Sequence, residues 1–126
     1  MPTASIDPSP QPLARRDVLL WLAVFAGPVA WAVDELTSYA LAPTACEAGT
    51  KGMLHLVSLL TLLVSLGGAL LARSMGRNLP EGSRAGGGLT GSRARFMALA
   101  GTAMGLGFAV VIVALEVPNW VVGVCQ

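Results

Sequence analysis

Asp34 and Glu35 stand side by side near the end of the apolar run "WLAVFAGPVAWAVDELTSY". Adjacent carboxylates in such a run invite proton or cation chemistry, because an acid inside lipid is costly unless something engages it. On a helix Asp34 shares a face with Trp31 and Ser38, and Glu35 shares one with Trp31 and Tyr39. Ser38 and Tyr39 are then placed to donate hydrogen bonds to the acids. Glu116 closes another apolar run and His55 opens a third. Asp34, Glu35, His55 and Glu116 are expected to form one intramembrane polar layer, with Lys51 reaching it from a connecting segment. A relay across the whole membrane needs ionisable groups deeper in. The second and third runs offer only Ser58, Thr61, Ser65 and Thr102. The expected role of the layer is structural: it holds helices in register or docks them on a larger partner.

Other side chains with chemical capacity point less far. Met53, His55 and Cys46 are soft and imidazole ligands of the kind copper prefers, but their spacing follows no strong metal motif. No metal site is expected. A single His and the lack of a C-x-x-C-H sequence argue against haem. The sequence holds no nucleophile–base arrangement, phosphate-binding loop or nucleotide fingerprint, so no catalytic residues and no cofactor are expected. A formal net charge of +1 gives no basis for nucleic-acid binding.

The elements that must position these residues follow from composition. Of 126 residues 54% are hydrophobic and only 12% charged, half the charge of an ordinary soluble domain. The charges are segregated, leaving three stretches of the length a bilayer core requires. They span about residues 17–42, 53–72 and 96–116. The fold class expected is an all-α integral membrane protein with three transmembrane helices. Residues 1–14, rich in Pro and Ser, read as a flexible cytoplasmic tail, and residues 15–126 as one three-helix domain. Between the second and third spans lies a connection loaded with Gly, Ser and Arg. It could touch anionic lipid heads or a cytoplasmic subunit, although a solvated linker is the ordinary case.

Orientation follows from the basic residues. Arg15, Arg16, Arg73, Arg77, Arg84, Arg93 and Arg95 all precede the first span or lie between the second and third. The positive-inside rule places the N-terminus and the Arg-rich connection inside, and the C-terminus outside. "PTACEAGTKG" and the tail "EVPNWVVGVCQ" then face outward together, which puts Cys46 and Cys125 on one oxidising side. A Cys46–Cys125 disulfide is expected, closing a ring through all three spans. On the chain-entropy model a ring this long contributes about 4 kcal/mol, less where membrane anchoring already restrains the chain. "ARRDVLLWLAVFAGPVAWA" also has the form of an export signal with cleavage after Ala32. Retention is expected instead, because apolar character resumes in "LTSYALA" and two more spans follow.

Packing signals are plentiful. Pro28 after Gly27 removes a backbone donor from the first span and is expected to kink it. Ser58, Thr61, Ser65, Gly68 and Ala72 form a small and polar stripe at helical spacing, and Gly101 and Gly105 form a small-xxx-small pair. Such residues let helix backbones approach closely in lipid. Two stripes in so short a chain suggest more contact surface than three helices consume, and hence a partner.

The sequence "GPVAW" (Gly27, Pro28, Ala30, Trp31), Tyr39, "PTAC" ending at Cys46, "LH" at His55 and "VPNWVVGVC" ending at Cys125 resembles a family. Its members are small, uncharacterised three-helix membrane proteins encoded beside bacterial haem-copper (cytochrome c) oxidase subunits. The resemblance spans most of the chain on short motifs. It implies an accessory subunit or assembly helper of a respiratory oxidase in the bacterial inner membrane. Family members often carry uncharged polar residues where this chain has Asp34 and Glu35, a departure that argues against an essential relay there. Two other functions follow from the residues themselves: a copper-handling assembly factor using Met53, His55 or the cysteines, and a small oligomeric proton or ion conductor using Asp34 and Glu35.

Overall fold

A computed structural model describes residues 11–79, 88–122 and 125. It consists of three helices, α1 (Gln11–Ala48), α2 (Gly52–Arg77) and α3 (Gly88–Val121), each packed on both others. Among the described residues there is no strand. All three helices are long and apolar enough to cross a membrane. At 1.5 Å per residue α1 runs about 57 Å and α3 about 51 Å, well beyond a hydrocarbon core of about 30 Å. Residues 1–10 of the expected tail lie outside the described residues, while its last four positions already belong to α1.

Two expected boundaries move. The segment "PTAC", read as loop, is helical, and α1 continues through both Pro28 and Pro43 to Ala48. What stops it is Gly49, whose φ of 63° ends the helix in a left-handed turn. Gly49 N–H donates to the Cys46 carbonyl at 3.2 Å and Thr50 N–H to the Ala45 carbonyl at 3.3 Å. That pair of bonds is a Schellman motif, satisfying carbonyls that the helix end would otherwise orphan. The α1–α2 connection thereby shrinks to Gly49, Thr50 and Lys51. At the other end of the chain α3 likewise continues past Glu116, through Pro118, to Val121. Much of the expected outer tail is helix.

The bundle is inverted relative to a soluble protein. Its buried positions are mostly small: Ala23, Ala30, Ala45, Ala69, Ala72, Ala98 and Ala109, with Ser58, Thr61 and Ser65. Large apolar side chains point outward, Leu36 at 72%, Leu70 at 67% and Val110 at 69% exposure among them. In water that surface would drive aggregation. In lipid it is matched by its solvent, and the helices are held by close contact between small residues.

Glycines set that contact. A Cβ on Gly105 would sit 2.8 Å from the Ala69 Cβ and 2.9 Å from both the Ala69 nitrogen and the Ser65 carbonyl oxygen. One on Gly27 would lie 2.9 Å from the Met104 carbonyl oxygen, one on Gly68 2.5 Å from the Ala26 Cβ, and one on Gly101 2.9 Å from the Ala72 Cβ. Each of the three helix pairs thus meets at glycine. Ser65, fully buried, donates across the same seam to the Gly105 carbonyl at 2.8 Å. Both small-residue stripes are therefore engaged within a single copy. Ser58, Thr61, Ser65, Gly68 and Ala72 are all buried on α2, so these stripes serve contacts among the three helices themselves.

Candidate functional site

At the end of the bundle opposite the arginines, α2 acts as a hub between acids on α1 and α3. Ser58 and Thr61 are three residues apart on the buried face of α2. Thr61 Oγ1 lies 3.0 Å from Asp34 Oδ1 and donates to it, with the Val57 and Ser58 carbonyls of its own helix as competing acceptors. Asp34 is only 5% exposed, so this hydroxyl is the group that offsets its loss of water. The expected donors were Ser38 and Tyr39. Tyr39 is instead 76% exposed, and the donor comes from the neighbouring helix.

Glu116 gathers the other half of the layer. Its Oε1 pairs with His55 Nδ1. Its Oε2 accepts from Ser58 Oγ at 3.1 Å and from Asn119 Nδ2 at 3.0 Å. Trp120, one residue beyond Asn119, lies edge-on to the His55 ring with centroids 6.0 Å apart. α3 remains helical through this region, so residues 116, 119 and 120 share one face as i, i+3 and i+4. Asn119 was missed in the sequence because it was assigned to a tail. Its spacing from Glu116 was the available signal.

Lys51 reaches the edge of the layer without pairing with its acids. Its ammonium donates to the backbone carbonyls of Asn119 and Val122. A cation there satisfies the last carbonyls of α3 and sits at the negative end of its dipole. Beyond it, Cys46 and Cys125 are joined as a disulfide with Cα atoms 5.3 Å apart. The helical extension of α1 past Pro43 is what carries Cys46 to that position. Lysine and disulfide thus tie the end of α3 to α1 and the short connection before α2.

Asp34, Glu35, His55 and Glu116 lie at one level, but they are not one network. Asp34 bonds to α2, and Glu116 bonds to α2 and to its own helix. Glu35 makes no hydrogen bond or ion pair among the described residues. It lines, with Asp34, Glu116, Lys51 and Asn119, a cavity of about 400 Å³ that opens between the three helices. The level itself can be placed. Arg16 to Asp34 on α1 and Arg73 to His55 on α2 each span about 27 Å, and Arg95 to Glu116 on α3 about 31 Å. That is one hydrocarbon thickness. Acids and arginines therefore sit about one hydrocarbon thickness apart along the helices.

Beneath the layer α2 and α3 are in close contact, with Gly105 against Ala69 and Ser65. Met53 is 64% exposed, the cysteines are bonded to each other, and His55 Nδ1 is engaged by Glu116. Among the described residues no group of three or more His, Cys, Asp or Glu side chains is arranged to hold a metal ion. Comparison of the chain with protein families, with curated proteins and with solved structures finds no match.

Proposed function

We propose that this chain is a non-catalytic accessory subunit of a larger respiratory complex, a terminal haem-copper oxidase, in a bacterial inner membrane. Its N-terminus and Arg-rich connection lie in the cytoplasm and its disulfide end faces outward. One observation carries the structural role. Apart from Glu35, the side chains of the layer and its surroundings are committed to holding helix ends together: Asp34 to Thr61, Glu116 to His55, Ser58 and Asn119, Lys51 to the α3 carbonyls, and Cys46 to Cys125. The outward face is a broad surface of Leu, Val and Phe, suited to lipid or to the helices of a neighbour. The oxidase as partner is supported by the resemblance of the "GPVAW", "PTAC" and "VPNWVVGVC" segments. The segregation of arginines supports the orientation.

Affinity isolation from native membranes in a mild detergent tests the assignment. Haem absorbance and oxidase subunits are expected in the eluate at a fixed ratio to this chain. Elution of the chain alone, with the oxidase in the flow-through, overturns it.

A further inference from the structure

We infer that the cavity between α2 and α3 at the arginine end binds the phosphodiester of an anionic phospholipid. This cavity, about 370 Å³, is lined by Arg73, Arg77 and Arg95, and among the described residues that line it there is no carboxylate. Arg73 and Arg77 are one turn apart on α2 and so project from one face. Arg95 approaches from α3. Between the two α2 arginines lies Gly76, where an added Cβ would come within 3.1 Å of the Ala98 Cβ. That close approach brings the helix carrying Arg95 within reach of the other pair.

Guanidinium groups present forked donors that match phosphate oxygens in pairs. The depth is also right. The arginines stand about one hydrocarbon thickness from the Asp34–Glu116 level, at the boundary where lipid phosphates lie. The base of the cavity is apolar: Ala72 is 0% exposed, Ala98 4% and Leu79 5%. Leu99 lies at its rim, 63% exposed. A free inorganic anion would gain nothing from the exposed Leu99 side chain, whereas a phospholipid places its first acyl carbons against it. Basic pockets between membrane helices are established receptors for anionic head groups. The site requires insertion of the bundle in a bilayer and does not depend on the oxidase assignment.

The full-length protein, delipidated in detergent, is titrated with phosphatidylglycerol, with phosphatidylcholine and with inorganic phosphate, and bound lipid is read by native mass spectrometry. Phosphatidylglycerol is expected to bind in preference to phosphatidylcholine, and excess phosphate is expected to leave it bound. Arg73→Gln with Arg95→Gln should weaken binding about 25-fold, at roughly fivefold per guanidinium. Arg73→Lys with Arg95→Lys should lose less, because charge remains. Arg93→Gln, on an exposed arginine outside the cavity lining, should change nothing. Unchanged binding in the double Gln variant overturns the site, as does an equal loss in Arg93→Gln, which indicates only a diffuse basic field. Displacement by inorganic phosphate overturns the lipid as ligand. Should the double variant fail to fold, Arg95→Gln alone decides at fivefold.

Discussion

The middle of the bundle and its disulfide end are held by different forces. In the middle, Gly27, Gly68, Gly101 and Gly105 bring backbones so close that no added carbon fits beside Ala26, Ala69, Ala72 or the Met104 carbonyl. At the disulfide end the helices stand further apart around a cavity of about 400 Å³. There they are joined by hydrogen bonds, a lysine and a covalent bond. Repulsion rises steeply once atoms approach inside van der Waals contact, so the middle tolerates no insertion. Hydrogen bonds reach across a wider gap and depend on chemical identity more than on volume. One region is specified by size, the other by functional group.

Substitutions should separate the two. Gly105→Val is expected to have the largest effect, about 3 kcal/mol or more, because its clashes are with backbone atoms of α2 that cannot turn aside. Denaturant or thermal unfolding in detergent, followed by circular dichroism, measures it. Near-wild-type stability would mean that the helices are not in contact there. Replacing Cys46 and Cys125 together by Ser should cost about 2 kcal/mol, half the free-chain figure, since the spans already restrict the unfolded ensemble. Reducing the wild-type protein should reproduce that loss and leave Gly105→Val further destabilised by a similar amount.

Glu116→Ala removes the acceptor of His55, Ser58 and Asn119. It should cost about 1.5 kcal/mol, near the top of what interhelical hydrogen bonds contribute in membranes. Trp120 fluorescence should shift as the His55 ring is released, and an unmoved spectrum would argue that the network is not formed. Gly107→Ala should have the smallest effect, neutral or stabilising by up to about 1 kcal/mol. A Cβ at Gly107 meets only open space, so alanine gains helix propensity without a clash. Destabilisation at Gly107 as large as that at Gly105 would erase the contrast between contact and non-contact glycines.

Much of this was legible before any coordinates. Segregated arginines and three apolar stretches implied three membrane-length helices, because burying a charge or an unpaired backbone group in lipid costs too much for other arrangements. Placing Cys46 and Cys125 on one side followed from the same pattern. Element ends were less legible. The expected spans end near residues 42 and 116, yet α1 and α3 continue through Pro43 and Pro118, since a single missing donor is tolerated once the flanking turns are anchored by the disulfide and by Lys51.

From the residue string alone came three helices long and apolar enough to cross a membrane, which depend on summed hydropathy and on the placement of charge. Only the tertiary structure decided which donor meets which acid, that both small-residue stripes face inward, and that Asp34 is bonded to Thr61 while Glu35 lines the cavity without a bond among the described residues. Those outcomes depend on the rotation of each helix about its own axis. That rotation is set by contacts between residues far apart in the chain, which periodicity along one helix does not encode.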